Sequence, residues 1–265
     1  MNQENLTLSF EQCRSQLKSY ILRMTASVED AEDIVQDTFI KAFSNIGSFK
    51  GDSSLKTWIF AIASNLAKDL LKAKKRWPEN VTDICKAAAM SEQEFLEEAM
   101  KIRMTSPQGN FEIKEHIAFC FTCVSKSLPL EQHLVLLLKE IYEFKVKEIA
   151  QIIGTTEAMV KYYLHTGRSK MIAIFDHRCA LINKKGACHQ CSELNGIFNP
   201  KQKVQEERVK IEMVRDAESK NKAHLFDLRM KVVQSIDPFE SAAAEFELHF
   251  MKHHKGVMDK YLAEV

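Results

Sequence analysis

The sequence predicts an all-α protein, and three observations support this fold class. Its 265 residues include eight glycines and five prolines, too few for the closely spaced turns of a β-sandwich or a β-barrel. Apolar residues recur at helical spacing along most of the chain, and no stretch alternates apolar and polar residues over a useful length. The apolar fraction of 45% is ordinary for a chain that buries cores, and the length suits about two domains. We therefore expect two small helical domains joined by a linker, followed by a Cys-rich segment and C-terminal helices.

No membrane or export signal is evident in the sequence. The longest apolar runs fall well short of the roughly 18 residues that a transmembrane helix needs. Met1 to Phe10 has neither the basic start nor the apolar core of a signal peptide. We therefore expect a cytoplasmic protein without membrane insertion, whose seven cysteines are reduced.

The first domain is predicted at residues 1–78, as a bundle of three helices. Ser27 is a good N-cap for the second helix, because a serine side chain can accept a hydrogen bond from the first turn. Ser53 or Ser54 can cap the third helix in the same way, and this helix ends before Pro78.

Charge is segregated between the second and third of these helices, although the net charge of the chain is only +1. The stretch from Ala26 to Phe39 carries acidic residues and no basic one: Glu29, Asp30, Glu32, Asp33 and Asp37. The stretch from Leu55 to Trp77 carries the single acid Asp69 and these bases: Lys56, Lys68, Lys72, Lys74, Lys75 and Arg76. A charge run is usually a solvated helix face. An acidic surface followed closely by a basic helix end nevertheless suggests two partners of opposite charge.

The basic third helix also carries aromatic residues. Trp58 and Phe60 are able to stack on unpaired bases, and the basic end of the helix can neutralise phosphates. For Trp58 alone, a place in the hydrophobic core is the alternative.

Residues 79–111 lack a long periodic stretch and predict a linker with one short acidic helix. The second domain is predicted at 112–176, where a short helix at 147–153, a turn at Gly154 and a longer helix at 157–175 have helix-turn-helix spacing. The outer face of the longer helix carries side chains suited to a major groove and its flanking phosphates: Lys161, Tyr162, His165, Arg168, Ser169 and Lys170. An ordinary helical hairpin with a polar surface is the alternative.

Two sets of motifs resemble the regions of one protein family. Residues 31–39 (AEDIVQDTF) and 49–59 (FKGDSSLKTWI) resemble region 2 of bacterial sigma factors. Residues 127–129 (SLP), 148–150 (EIA) and 157–168 resemble region 4. Since no large domain lies between these regions or before the first, the layout is similar to that of the extracytoplasmic-function (ECF) sigma factors.

This resemblance implies a promoter-specificity subunit that is not an enzyme. Asp33, Gln36, Asp37 and Phe39 would dock on core RNA polymerase, and the linker would thread toward the polymerase active site. The third helix would bind the −10 element of promoter DNA, helix 157–173 would read the −35 element, and an anti-sigma factor would be a further partner. The charge pattern, the helix-turn-helix spacing and the resemblance together predict these DNA contacts: Trp58, Asn65, Lys72, Lys74, Lys75, Arg76, Lys161, Tyr162, Tyr163, His165 and Arg168.

The recognition helix departs from the family pattern. Family members often carry Thr and Arg where this chain has Met159 and Tyr163, and a basic pair where it has Thr166 and Gly167. The −35 sequence preference therefore does not transfer from the family.

The segment 177–200 is rich in cysteine and suits a zinc knuckle. Cys188 and Cys191 form a Cys-x-x-Cys pair, with Cys179 and His177 upstream. This spacing and the scarcity of apolar residues indicate a structural zinc site, and reduced cysteines in a loop are the alternative.

A second metal-ligand pattern lies in the predicted second domain. His116, Cys120 and Cys123 are spaced to share one helix face, although a cysteine buried in a helix core is the more common case. A single metal site that combines Cys120 and Cys123 with Cys188 and Cys191 is a further alternative.

Two other classes of function remain as alternatives. A one-component helix-turn-helix regulator with a metal or thiol sensor would have no use for the acidic docking motif. An enzyme is disfavoured because the sequence has no Gly-rich phosphate loop, Gly-x-Ser-x-Gly elbow or His-Glu-x-x-His helix. Residues 201–265 predict a helical extension outside the two-domain plan, with no assigned role.

Overall fold

The structure is a computed structural model that describes residues 3–105, 113–179, 204, 207, 221–241 and 244–264. Within these residues the regular elements are helices and no β-strand is present, which confirms the predicted all-α class. None of the described helices combines the length and the apolar character needed to span a bilayer. The helices are α1 (Gln3–Thr25), α2 (Val28–Ser44), α3 (Leu55–Lys72), α4 (Val81–Ser91), α5 (Gln93–Thr105), α6 (Ile113–Ser125), α7 (Leu130–Leu136), α8 (Val146–Ile153), α9 (Glu157–Arg178), α10 (Lys222–Gln234) and α11 (Ala244–Glu264).

The chain forms two compact units. The first unit contains residues 1–76 and 128–167, and the second contains residues 77–127 and 168–265. Helix α9 contributes to both, because the division falls directly after Gly167. The domain boundaries predicted from the sequence follow motifs, whereas this division follows packing, so α6 is grouped with α4 and α5.

Helices α1, α2 and α3 pack together in the first unit, and both predicted N-caps are present. The Ser27 hydroxyl accepts a hydrogen bond from the backbone N–H of Asp30 at 3.1 Å. The Ser54 hydroxyl accepts one from the N–H of Thr57 at 3.1 Å, so Ser54 rather than Ser53 caps α3. Each cap satisfies a backbone donor that the first turn of a helix leaves unpaired.

A cluster of aromatic rings joins α1 and α3 to the connection between α7 and α8. We call it the Tyr–Phe cluster, and its members are Tyr20, Phe60, Tyr142 and Phe144. The ring centroid of Phe60 lies 5.4 Å from that of Tyr20 and 4.8 Å from that of Phe144. The hydroxyls of Tyr20 and Ser64 share a hydrogen bond of 2.9 Å. Tyr20 and Phe60 are fully buried, so this cluster is the centre of the first unit.

Helix α8 packs against α3 in the same unit. The Lys68 ammonium donates to the backbone oxygen of Ile153 at 3.2 Å, and the Gln151 amide donates to the backbone oxygen of Asp52 at 3.1 Å. The first helix of the helix-turn-helix therefore lies against α3 and the loop that precedes it.

The second unit is built largely from segments that the sequence predicted to be a linker and an extension. Where one short acidic helix was expected, residues 81–105 form α4 and α5. Buried residues recur every fourth position: Val81, Cys85 and Ala89 in α4, and Phe95 and Ala99 in α5. Each helix repeats this spacing only once or twice, too few times to stand out as a period in the sequence. Helix α10 packs on α6, and α11 packs on α4, α5 and α6.

The interface of α11 with α5 and α6 is lined by alternating histidine and phenylalanine rings. We call it the His–Phe cluster, and its members are Phe95, His116, Phe119, His249, Phe250, His253 and His254. The ring of Phe95 stacks between those of His249 and His253, at 4.8 Å and 3.9 Å. Burial lowers the pKa of His116 to about 4 and that of His254 to about 3. Both histidines are therefore neutral at pH 7.

Candidate protein-docking and nucleic-acid surfaces

The exposed side of α2 is acidic, as its sequence predicts. Asp33, Gln36 and Asp37 are exposed, and their spacing of three and four residues places them on one face of the helix. In the described part of the chain, ion pairs with lysines at 2.9 Å and 3.9 Å engage Glu32 and Asp30 but not Asp33 or Asp37. Uncompensated negative charge is therefore concentrated on the side of α2 that faces away from its packed neighbours.

Two exposed apolar residues extend this surface. Ile40 is 52% exposed and Phe43 is 36% exposed, and they follow Asp37 by three and six residues on the same side of α2. We call Asp33, Gln36, Asp37, Ile40 and Phe43 together the docking face. The sequence signal for Ile40 was an apolar residue one turn after the last acid. Phe39 contributes differently, because its ring packs edge-on against Phe10 at 4.9 Å and holds α2 on α1.

One face of α3 carries an aromatic residue, an amide and a cation in series. Trp58, Asn65 and Lys72 are seven residues apart, and this spacing returns them to one side of the helix. Trp58 is half-buried, with its ring 5.3 Å from that of Phe49, and Asn65 is exposed. Lys72 pairs with Asp69 at 2.8 Å and thereby lowers the pKa of that carboxyl. We call Trp58, Asn65 and Lys72 the α3 face, and its composition suits single-stranded DNA.

Two residues that the sequence placed on a DNA surface have other positions in the structure. Phe60 is a buried member of the Tyr–Phe cluster. The Arg76 guanidinium donates to the backbone oxygen of Leu128 at 2.6 Å and lies 2.9 Å from Nδ1 of His133. Burial lowers the pKa of Arg76 to about 10, which leaves it charged at pH 7, and both of these contacts lie within the first unit. The neighbouring basic side chains, Lys74 and Lys75, remain exposed at the end of the helix.

Helices α8 and α9 form the predicted helix-turn-helix. Gly154 ends α8 with a φ of 72°, in the left-handed region that glycine adopts at little cost. The Thr156 hydroxyl accepts a hydrogen bond from the N–H of Met159 at 3.2 Å and caps α9. Val160 is fully buried and anchors the start of α9. The turn is therefore fixed by one glycine and one cap.

The outer face of α9 presents most of the predicted DNA contacts to solvent. Lys161 and His165 are exposed, and Tyr162 is 56% exposed. Tyr163 is half-buried, with its ring 5.8 Å from that of Tyr162. Arg168 differs from the others, because α10 holds it in an ion pair.

The predicted zinc ligands lie mostly outside the described residues, since Cys188 and Cys191 fall there. His177 is exposed at the end of α9. Cys179 is buried, and its Sγ lies 2.9 Å from a guanidinium nitrogen of Arg229. Within the residues that the structure describes, no three His, Cys, Asp or Glu side chains come together as a metal site.

The alternative metal set on α6 is not brought together in the described residues either. His116 and Cys120 line a small cavity of about 20 Å³, whereas Cys123 does not line it. Burial raises the pKa of the Cys123 and Cys85 thiols and raises that of Cys13 to about 11. These three side chains are therefore protonated thiols at neutral pH.

Known proteins match the chain in the two regions that carry these surfaces. The sigma-70 region 2 family matches residues 9–77, which contain the docking face and the α3 face, and the sigma-70 region 4 family matches residues 119–171, which contain the helix-turn-helix. The ECF RNA polymerase sigma factor SigG of Mycobacterium tuberculosis is 31% identical over 171 residues, which are 61% of this chain and 46% of that protein. The RNA polymerase sigma factor YlaC of Bacillus subtilis is 28% identical over 164 residues, which are 61% of this chain and 87% of that protein.

A further relative matches this chain over two thirds of its own length. The ECF RNA polymerase sigma-E factor of Escherichia coli is 31% identical over 135 residues, which are 49% of this chain and 68% of that protein. The chain spans about half the length of SigG. Among solved structures, the extracytoplasmic function sigma factor SigJ of Mycobacterium tuberculosis covers 72% of this chain and 59% of its own, with 19% identity and a TM-score of 0.39. Because region 2 and region 4 both match in order, and the sigma-E factor matches over two thirds of its length, the chain belongs to the ECF family of RNA polymerase sigma factors.

Proposed function

We propose that the chain directs bacterial RNA polymerase to promoters as a specificity subunit and catalyses no reaction itself. The docking face binds core polymerase, the α3 face binds the −10 element, and the outer face of α9 binds the −35 element. The docking face is the observation that carries this proposal. A protein that only binds DNA has no use for an exposed surface that is both acidic and apolar.

The docking face combines two kinds of binding energy. Ile40 and Phe43 lose their remaining contact with water when a partner covers them, and because only 52% and 36% of their surface is exposed this is worth roughly 1 kcal/mol for each side chain. Asp33 and Asp37 add little affinity by themselves, but they favour a basic partner and exclude an acidic one. A basic surface with apolar residues among its charges is therefore the expected partner.

Promoter opening by this chain requires binding energy rather than bond chemistry. Extruding a base from the DNA stack costs roughly a few kcal/mol. Stacking of that base on an aromatic side chain contributes about 1–3 kcal/mol of binding free energy. Trp58 is already held against Phe49, so little side-chain freedom remains to be lost when a base stacks on it. Lys72, Lys74 and Lys75 lie at the end of α3, where they can neutralise phosphates of the separated strand.

Charge reversal on the docking face tests the proposal. The double variant Asp33→Lys with Asp37→Lys should lose core binding, because like charges across an interface cost several kcal/mol. Affinity for core polymerase is measured by fluorescence anisotropy, and promoter use is measured by run-off transcription. Asp259→Lys with Glu264→Lys makes the same change of charge on exposed positions of α11 and should leave core affinity unchanged. Wild-type core affinity in a folded docking-face variant would contradict the proposal.

We also propose a structural zinc site at Cys188 and Cys191, with Cys179 and His177 as further ligands. The Cys-x-x-Cys spacing supports it. Purified protein should contain one zinc ion per chain by atomic emission, and Cys188→Ser with Cys191→Ser should abolish it. Because thiolate ligands must lose their protons, the zinc content should fall as the pH is lowered. Cys13→Ser is the control that retains zinc, and metal-free wild-type protein would show that the proposal is wrong.

A further inference from the structure

The C-terminal extension holds one of the predicted DNA contacts. Nη2 of Arg168 lies 2.6 Å from Oδ1 of Asp227 on α10, and its guanidinium carbon lies 5.0 Å from the ring centroid of Phe226. Phe226 is 2% exposed, and its ring is 6.4 Å from that of Phe175 on α9. Helix α10 is therefore anchored on the same helix that carries Arg168, and this anchor keeps the carboxylate in place.

Other charges on this part of α9 are also paired within the second unit. The ammonium of Lys170, another residue of the predicted outer face, lies 3.2 Å from a carboxylate oxygen of Glu79. Asp176 pairs with Lys222 at the start of α10, at 2.5 Å. The second half of α9 therefore has its phosphate-binding cations matched by acids from its own chain, and a further ion pair attaches α10 to it.

The Asp227 carboxylate offers Arg168 the same chemistry as DNA. Carboxylate and phosphate oxygens both make charge-assisted hydrogen bonds to a guanidinium group. The side chain of Asp227 is 51% exposed and that of Arg168 is 25% exposed, and solvent-exposed ion pairs of this kind are weak. A weak pair can be exchanged for a phosphate without loss of the fold.

We propose that Asp227 takes the place of a promoter phosphate on Arg168, so that the C-terminal extension competes with −35 DNA for the second half of α9. This inference rests on the proposed function and adds a regulatory role for residues beyond the two matched regions. Promoter affinity rises when the Arg168–Asp227 ion pair opens and falls when it forms again.

Removal of a single charge tests the competition. Asp227→Asn should tighten binding of the reconstituted holoenzyme to a promoter fragment by roughly twofold to fivefold. The probe is a fragment that the wild-type holoenzyme selects from a random promoter library, and affinity is measured by fluorescence anisotropy at one fixed salt concentration. Asp227→Glu keeps the charge and should bind like the wild type. Asp259→Asn, which removes an exposed acid from α11, is the matched control and should also bind like the wild type.

A second background separates this contact from general electrostatics. In Arg168→Gln protein, Asp227→Asn should no longer tighten binding, because the cation that it releases is absent. Equal tightening in both backgrounds overturns the inference, and so does a folded Asp227→Asn variant that binds no more tightly than Asp259→Asn. A wild-type holoenzyme that selects no promoter contradicts the proposed function itself, and the inference falls with it.

Discussion

The two aromatic clusters pack in similar ways but respond differently to protons. Neighbouring rings lie 5.4 Å apart for Tyr20 and Phe60 in the Tyr–Phe cluster, and 4.9 Å apart for Phe119 and His254 in the His–Phe cluster. Burial raises the pKa of Tyr20 far above its usual value, so this phenol stays neutral at any physiological pH. Burial instead lowers the pKa of His254 to about 3, so the folded ring stays neutral while unfolding lets it take up a proton once the pH falls below the ordinary value of 6.5. Similar ring contacts therefore give a pH-independent core in one unit and a pH-dependent core in the other.

The clusters also differ in their relation to the sigma factor family. Every member of the Tyr–Phe cluster lies within the residues that match region 2 or region 4. In the His–Phe cluster only Phe119 lies within them. The pH-dependent core, which is the His–Phe cluster, therefore belongs mainly to the part of the chain that lies outside the matched regions.

The largest effect is expected from emptying the centre of the Tyr–Phe cluster. Phe60→Ala should lower the free energy of unfolding of the first unit by about 3–5 kcal/mol, because it removes a fully buried ring and leaves a cavity. Urea unfolding measures the loss, and hydrogen exchange assigns it to α1 and α3. Phe43→Ala is the control, since it removes an exposed ring of the same size. Similar losses in the two variants would show that Phe60 does not have the predicted central role.

Acid should weaken the second unit through its buried histidines. His116 and His254 have a lower pKa in the folded state than the ordinary value of 6.5, so their stabilising effect is present above pH 6.5 and is lost as the pH falls. Lowering the pH from 7 to 5 should reduce the free energy of unfolding by about 2 kcal/mol for each of these two histidines, and a lower pH should reduce it further. Hydrogen exchange in α6 and α11, corrected for intrinsic rates, measures this change.

One substitution isolates a single histidine from this effect. His254→Gln keeps a hydrogen-bond donor but cannot take up a proton, so stability should fall by about 2 kcal/mol less between pH 7 and pH 5 than in the wild type. The variant is compared with its own stability at pH 7, which removes any packing cost common to both conditions. An unchanged pH dependence would mean that His254 does not couple acid to unfolding.

The smallest effect is expected from the polar contact of the Tyr–Phe cluster. Tyr20→Phe removes the hydrogen bond to Ser64 and should cost about 1 kcal/mol. The loss should be equal at pH 6 and pH 9, because Tyr20 is neutral at both. A loss that grows with pH would contradict a neutral, buried phenol and would weaken the contrast between the clusters.

Local features of the fold could be predicted from the sequence. The caps at Ser27 and Ser54 and the turn at Gly154 depend on a few neighbouring residues, and the structure confirms each. The acidic side of α2 is also a local property, because the helical period alone places Asp33 and Asp37 on one face.

Features that depend on contacts between distant segments could not be predicted in this way. Arg76 continues a run of exposed lysines, and only its contact with Leu128 shows that it is part of the packing. Helices α4 and α5 bury short stripes that become recognisable once α11 covers them. The ion pair between Arg168 and Asp227 joins residues 59 positions apart, and no local sequence pattern predicts it.

Gly167 gives α9 a weak point at the last residue of the first unit. A Cβ at this position would lie 3.4 Å from that of Gln132, at the edge of ordinary contact, so alanine would nearly fit. Glycine costs a helix interior about 1 kcal/mol relative to alanine. The hydrogen-bonded ladder of α9 therefore opens more easily here than within either adjoining half. Local opening of α9 is therefore expected to begin at Gly167, between the turns that carry Lys161, Tyr162 and His165 and the turns that α10 holds.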